Sequence, residues 1–117
     1  MTIDYYRTAR GDCSVKDFID ALPPKLQAKN IRELMLLEEF GINLPPPYTQ
    51  QLHGKEVSGI WELRVKLASD ITRIFYFYPI ADRVILLHGF LKKSDETPPR
   101  ELQTAVRRMK DAIERRL

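Results

Sequence analysis

The sequence predicts a single α+β domain, in which an N-terminal helical hairpin packs on a small antiparallel sheet and a C-terminal helix follows. Three observations predict this fold class. Two helical segments bounded by prolines come first, three strand-like runs with very short connections follow, and the last segment has helical periodicity. A chain of 117 residues fits one ordinary domain, so we expect residues 1–117 to share one fold.

The first half of the chain is predicted to contain one short strand and two helices. Ile3 to Thr8 has strand character, and Ser14 is a suitable N-cap for a helix through Ala21. Pro23 and Pro24 suit the first turn of a second helix, because that turn needs no backbone N–H donors there. This helix is expected to run to about Phe40 and end at Gly41.

Three strand-like runs follow the proline stretch Pro45 to Pro47. They cover Ile60 to Leu67, Ile71 to Tyr78, and Arg83 to Phe90, and are rich in β-branched and aromatic residues. Only short connections separate them, which predicts an antiparallel meander.

The last segment is predicted to be an amphipathic helix with Thr97 as its N-cap and Pro98 at its first position. Its apolar residues recur every three or four positions: Leu102, Ala105, Val106, Met109, Ala112 and Ile113. The opposite side mixes basic and acidic residues, which is typical of a solvated helix face.

Composition limits the classes of function. The net charge is +3 and the sequence pI is about 9.1, with the basic residues concentrated in the second half, which suggests an anionic partner. The sequence contains no apolar run long enough to cross a bilayer, and its start does not resemble a secretory signal, so we expect the cytoplasm. The single Cys13 allows no internal disulfide and no metal framework, and we expect no cofactor.

A cationic cluster is predicted on one face of the strands. If Leu67 pairs with Thr72 across a four-residue turn, Arg73 joins the face that carries Arg64 and Lys66, while the Trp61 face forms the core. Like charges on neighbouring strands repel, so the cluster suggests a phosphate-binding surface. Exposed cations lying over Phe75 and Phe77 would explain the same pattern, and both interpretations stay open.

The end of the third strand adds further candidate groups for RNA chemistry. Lys92 and Lys93 add cations, and Phe75 and Phe90 could stack a base, although core packing is the more usual place for a strand phenylalanine. His88 titrates near neutral pH and could carry a proton, although a lone histidine at a strand end is more often hydrogen-bonded structure.

The second half of the chain resembles the HigB-like, phage Gp49-like toxins of the RelE/ParE superfamily. The resemblance depends on the order and spacing of several short motifs and not on one of them alone. They are Leu52 and Gly54; Gly59 to Arg64; Arg73 to Phe77; Leu86 to Phe90 with Lys92 and Lys93; and Thr97, Pro98, Glu101 and Ala105.

This resemblance implies a RelE-like fold and the toxin of a type II toxin–antitoxin pair. Such a toxin is a metal-independent endoribonuclease that cuts mRNA on the ribosome, leaves a 2′,3′-cyclic phosphate and thereby inhibits translation. Its partner would be a helix-turn-helix antitoxin in a hetero-oligomer that also represses its own operon. The toxin sequence does not give the stoichiometry or the codon preference.

The resemblance also implies roles for individual residues. Arg64, Arg73, Lys92 and Lys93 would grip and polarise the phosphate, and Lys92 or His88 would carry the proton. The strand pattern, and not the resemblance, adds Lys66, Phe75 and Phe90 as residues expected to contact RNA. Many RelE-type enzymes have a catalytic tyrosine or histidine after the last strand, whereas Ser94 to Leu117 contains neither, so the general base stays open.

Two other functions are compatible with the same fold. A ParE-like protein would inhibit DNA gyrase without cutting RNA, and a phage-derived binding protein would have no activity at all. The basic cluster and the lysine pair favour the nuclease.

Overall fold

The computed structural model describes residues 1–92 and 96–117. Within these residues, one mixed sheet of five strands lies between helices on its two faces. In chain order the elements are β1 (Thr2–Tyr5), α1 (Ser14–Asp20), α2 (Pro24–Phe40), β2 (Thr49–Gln51), β3 (Ile60–Leu67), β4 (Asp70–Ile80), β5 (Arg83–Lys92) and α3 (Pro99–Glu114). No helix of the described residues is both long enough and apolar enough to span a bilayer.

The sheet confirms the α+β class, and β3, β4 and β5 form the predicted antiparallel meander, but the complete sheet is mixed and not antiparallel as expected. Its strand order is β1-β5-β4-β3-β2, and β1 pairs with β5 in parallel, from Thr2 opposite Arg83 to Tyr5 opposite Leu86. The chain therefore begins with a strand of the sheet and not with the helical hairpin. The short β2, which the sequence analysis missed, pairs antiparallel with the other edge, on β3.

The helices begin and end close to the predicted positions. α1 starts at Ser14 itself, and its N-cap is Cys13, so the predicted cap was one residue late. α2 runs from Pro24 to Phe40 as expected. It stops at Gly41, whose φ of +52° belongs to the left-handed region that favours glycine.

The register of β3 and β4 differs from the prediction by two residues. Leu67 pairs with Asp70 across the two-residue turn Ala68–Ser69, and not with Thr72 across a longer turn. A shift of two residues preserves which face each side chain occupies, because strand side chains alternate with a period of two. The predicted face for Arg64 and Arg73 is therefore correct.

A hydrophobic core packs against each face of the sheet, so the expectation of one apolar and one polar face was wrong. Leu63, Val65, Ile74 and Tyr76 pack with α1 and α2. On the opposite face the core includes Ile60, Phe75, Phe77, Ile85, Leu87 and Phe90, with Ala105 and Ala112 of α3. The final helix therefore covers much of the face on which the cations lie.

An irregularity in β5 lets two consecutive residues meet α3. Phe75 pairs with His88, whereas Tyr76 pairs with Leu86, so Leu87 is an extra residue on β5. Such a bulge redirects side chains. Leu87 packs in the α3-side core, and the next residue, His88, makes polar contacts with α3.

Candidate functional site

Seven of the eight residues predicted to handle RNA lie together on the α3 side of three neighbouring strands. The strand register arranges them in three rows, which we call the arginine grid. The rows are Lys66, Ile71 and Lys92; then Arg64, Arg73 and Phe90; then Glu62, Phe75 and His88. Lys93, the eighth predicted residue, lies outside the described residues.

Two arginines form the centre of the grid. Arg64 on β3 lies directly opposite Arg73 on β4, so two like charges share one cross-strand position. Glu62 offsets part of this repulsion, because its Oε2 lies 3.4 Å from Arg73 Nη1. Glu62 is only 3% exposed. The centre is therefore a buried acid beside two half-buried guanidinium groups.

Three cations act electrostatically on the Glu62 carboxyl. Burial raises the pKa of this group, while the charges of Arg73, Lys92 and Arg64, in that order, oppose the rise. Within the described residues, the buried Nε atoms of Arg64 and Arg73 have no hydrogen-bond partner. Two neighbouring guanidinium groups beside one buried acid suit an anion such as phosphate.

The segment before α3 fixes the position of Arg73. Its Nη1 donates a hydrogen bond of 2.6 Å to the Thr97 hydroxyl. Thr97 was expected to cap α3, but the helix starts at Pro99 with Pro98 as the N-cap and with no side-chain cap bond. The Thr97 hydroxyl thus serves the arginine grid and not the helix end.

His88 is held between two residues of α3. Its Nε2 lies 3.3 Å from Glu101 Oε2, and its Nδ1 lies 3.3 Å from Arg108 Nη1. Arginine can only donate, so Nδ1 accepts and Nε2 carries the proton toward Glu101. Burial lowers the pKa of His88, whereas Glu101 raises it. Arg108 also donates to the Leu87 carbonyl oxygen at 2.8 Å, which anchors this contact to the strand.

The two predicted stacking residues are part of the core. Phe75 has no exposed surface, and Phe90 is also buried. Their rings lie 5.4 Å apart between centroids, and His88 stacks on Phe90 at 5.8 Å. Neither ring therefore offers a face to an incoming base. Both phenylalanines pack in the core, as strand phenylalanines usually do.

The two described lysines of the grid lie at its open end. Lys66 is exposed and Lys92 is half-buried, and both flank Ile71 of β4. They place two ammonium groups one row away from the arginine pair. Strand alternation predicts this face for Lys66, whereas for Lys92 the sequence predicts only a position at the end of the third strand.

Several polar groups at the site were not predicted as functional residues. Glu62 and Glu101 enter the sequence analysis only through the family motifs. Arg108 lies on the mixed-charge side of the last helix, a pattern typical of a solvated helix face. Glu62 alternates with the apolar residues of β3, as an exposed residue would, and only the tertiary structure reveals that it is buried.

A cluster of polar side chains could also bind a metal ion. Across residues 1–92 and 96–117, the acidic, histidine and cysteine side chains form no group of three that could hold a metal ion. Cys13 is buried at the start of α1, away from the grid residues in sequence and on a different element.

Comparison with known proteins identifies one family. The sequence model of the family described as phage derived protein Gp49-like (DUF891) matches residues 17–110. The matched region contains all of α2 and β2 to β5, the grid and most of α3. Comparison with curated proteins gave no match.

Proposed function

The chain belongs to the phage-derived Gp49-like family, and we propose that it is the toxin of a type II toxin–antitoxin pair that cuts mRNA on the ribosome. The observation that carries the proposal is the arginine grid. Arg64 and Arg73 lie opposite each other, and together with Lys92 they act on one buried carboxyl. Such a cation excess is costly unless an anion is bound, and RNA supplies a phosphate.

In the proposed reaction, the ribose 2′-oxygen attacks the adjacent phosphorus and the bond from phosphorus to the 5′-oxygen breaks. The products are a 2′,3′-cyclic phosphate and a free 5′-hydroxyl. Negative charge grows on the non-bridging oxygens, where Arg64 and Arg73 would stabilise it. The 2′-hydroxyl must lose a proton and the departing 5′-oxygen must gain one.

Lys92 and His88 are the two candidate proton carriers. Both ring nitrogens of His88 already have partners on α3, so proton transfer through His88 would first require a contact with Glu101 or Arg108 to break. Lys92, whose charge acts on the Glu62 carboxyl beside the arginine pair, is the candidate donor to the 5′-oxygen that we test first. Lys93, which follows Lys92 in the sequence, would add a further positive charge.

We assign the chain a RelE-like fold, with an added N-terminal strand and a long final helix that covers the α3 side of the sheet. The proposed partner is a helix-turn-helix antitoxin, bound in a hetero-oligomer. Its binding would neutralise the toxin by covering the arginine grid or by blocking entry to the ribosome.

Induced expression of this chain alone in a bacterium tests the function. RNA 5′ ends are mapped within minutes, and plasmid supercoiling is measured in parallel. New cuts inside translated reading frames are expected. Intact mRNA with growth arrest and altered supercoiling would favour a ParE-like gyrase inhibitor, and normal growth would favour a binding protein without activity.

Variants connect this result to the grid. Arg73→Ala is expected to fold and to abolish cutting, and Arg64→Ala provides a second variant in case loss of Arg73 destabilises the buried Glu62. Arg10→Ala, at an exposed position outside the sheet, is the matched control and should stay toxic. Full toxicity of folded Arg64→Ala and Arg73→Ala chains would refute the assignment.

A further inference from the structure

A polar cavity lies beside the arginine grid, at the outer edge of β3. Its volume is about 230 Å³, and it is formed by α2, the segment before β2, and β3. The lining residues are Lys29, Glu33, Pro47, Tyr48, Arg64 and Lys66. Arg64 and Lys66 also belong to the arginine grid, so the cavity continues directly from it around the edge of the sheet.

The cavity contains a buried acid with an unused acceptor. Glu33 on α2 is only 6% exposed, and within the described residues its Oε2 atom has no hydrogen-bond partner. A buried polar atom without a partner destabilises the fold, because it has lost its hydrogen bonds to water. An acceptor of this kind needs a donor from outside the chain, such as an amino group.

Three cations, Lys29, Arg64 and Lys66, line the same cavity as this acid. Lys66 is exposed, and Lys29 is held in place because its Nζ donates a hydrogen bond to the Lys66 carbonyl oxygen. Arg64 provides the third charge. The cavity is therefore positive at its rim and acidic at one buried point, a combination that suits a ligand with both a phosphate and a hydrogen-bond donor.

An aromatic side chain lies at the rim of the cavity. Tyr48 is 38% exposed. Its backbone is fixed on both sides, because its carbonyl oxygen accepts a 2.9 Å hydrogen bond from the Arg64 N–H and its own N–H donates to the Pro45 carbonyl at 3.0 Å. A fixed, exposed ring beside cations is the combination with which proteins bind single-stranded nucleic acid.

We propose that this cavity is a nucleotide subsite for the RNA strand next to the phosphate held by Arg64 and Arg73. Tyr48 stacks on the base, Glu33 accepts a hydrogen bond from the exocyclic amine of that base, and Lys66 holds the adjoining phosphate. Adenine, cytosine and guanine carry such an amine and uracil does not, so the subsite discriminates against uracil. The subsite rests on the proposed function, since RNA is its ligand.

An acidic peptide is the competing ligand, and the chemistry of the cavity disfavours it. Its carboxylates would meet Lys29, Arg64 and Lys66 favourably. They would also bring like charge toward Glu33 and leave Oε2 without a donor. RNA has phosphates for the three cations and base amines that can donate a hydrogen bond to Glu33 Oε2.

Direct binding tests the subsite without requiring cleavage. Short 2′-O-methyl oligonucleotides of A, C or U lack the attacking hydroxyl, and their affinity for the whole chain is measured by fluorescence anisotropy. Wild-type protein is expected to prefer oligo(A) and oligo(C) over oligo(U). Tyr48→Ala should weaken oligo(A) binding about tenfold, because stacking contributes roughly 1–3 kcal/mol per base, while Tyr48→Phe retains it.

The Glu33 variants test how the base is recognised. Glu33→Met removes the acceptor at similar size, so it should abolish the preference for oligo(A) over oligo(U) and leave oligo(U) binding unchanged. Glu33→Gln keeps an acceptor oxygen and should retain part of the preference. Thermal unfolding verifies that each variant is folded.

The outcomes distinguish a failure of the nucleotide subsite from a failure of the proposed nuclease function. Equal affinity for oligo(A) and oligo(U), no binding of any oligonucleotide, an unaffected Tyr48→Ala chain, or equally effective binding of oligoaspartate would overturn the subsite. If the chain binds RNA as expected but cuts none in cells, the nuclease fails and the subsite stands. If it cuts RNA with a preference that Tyr48→Ala does not alter, the nuclease stands and the subsite fails.

Discussion

Arg73 on β4 and Thr97 ahead of α3 are joined by a hydrogen bond of 2.6 Å from the guanidinium Nη1 to the threonine hydroxyl. This bond links the centre of the sheet to the start of the helix that covers it. Arg73 also lies 3.4 Å from Glu62 through the same nitrogen. One guanidinium group therefore connects β3, β4 and the approach to α3, and its orientation depends on all three.

Replacing Thr97 with valine tests this connection. Thr97→Val removes the acceptor at similar volume, and hydrogen bonds to charged groups contribute about 1.5–3 kcal/mol. We expect lower thermal stability and slower RNA cutting after induction, because Arg73 loses one of its two fixed partners. Thr97→Ser retains the hydroxyl and should match the wild type in both measurements. A Thr97→Val chain that cuts at the wild-type rate would show that Arg73 is oriented without Thr97.

The contacts of His88 predict a dependence of stability on pH. Burial lowers the pKa of His88 below that of the unfolded chain, about 6.5. The unfolded chain therefore binds more protons than the folded chain as pH falls below that value. Stability due to neutral His88 is present above the unfolded pKa and is lost as pH decreases toward the folded pKa.

His88→Gln is expected to reduce this loss, which thermal unfolding at several pH values can measure. Glutamine remains neutral, so the variant should show a smaller decrease in melting temperature below about pH 6.5. His53→Gln, at an exposed position, is the control. An unchanged pH profile in His88→Gln would mean that another group causes the loss. Persisting RNA cutting in the same variant would support Lys92 as the proton carrier.

The buried Glu33 predicts the opposite dependence on pH. Burial raises its pKa, while Lys29 and Arg32 oppose the rise. An acid whose pKa is raised by folding is most favourable below its unfolded value, about 4.3, and its contribution falls as pH rises through the interval up to the folded pKa. Glu33→Gln should therefore raise the melting temperature at neutral pH and have little effect at low pH.

Glu39→Gln, at an exposed position of the same helix, provides the control for Glu33→Gln and should leave the melting temperature nearly unchanged. A stabilising Glu33→Gln substitution that also weakens base discrimination would indicate that the acid is retained for binding at a cost in stability. A destabilising effect at neutral pH would mean that the carboxylate has a favourable partner in solution.

Gly89 on β5 is predicted to tolerate no side chain. A Cβ atom at this position would lie 2.7 Å from Cδ2 of the Phe18 ring on α1. Because the half-buried Phe18 ring packs against the core and must shift to make room, Gly89→Ala should destabilise the fold by about 1–3 kcal/mol in chemical denaturation. Phe18→Leu in the same chain should recover part of the loss. Equal stability of Gly89→Ala and wild type would show that α1 moves away easily.

Strand alternation explains why so much of the site was predictable. Side chains alternate between the two faces of a strand, and this alternation placed Arg64, Lys66 and Arg73 on one face. The placement held even though the predicted pairing of Leu67 was wrong by two residues. The limits of α2 were predictable because prolines and Gly41 impose local backbone constraints. These features depend on neighbours in sequence, or on a period of two, and need no knowledge of the packing.

Packing between distant segments decided the remainder. The parallel pairing of β1 with β5 and the short β2 arise from long-range contacts that leave no local pattern. α3 packs against Phe75, and its Glu101 and Arg108 hold His88, while Thr97, ahead of the helix, binds Arg73.

The sequence by itself determined the class of fold, most of the element limits and the face on which the cations lie, because backbone preferences and side-chain alternation are local. Only the tertiary structure decided which polar groups are desolvated and which are held by a partner. Those properties depend on the distance between side chains far apart in the chain, as the cavity formed by Glu33, Tyr48 and Arg64 illustrates.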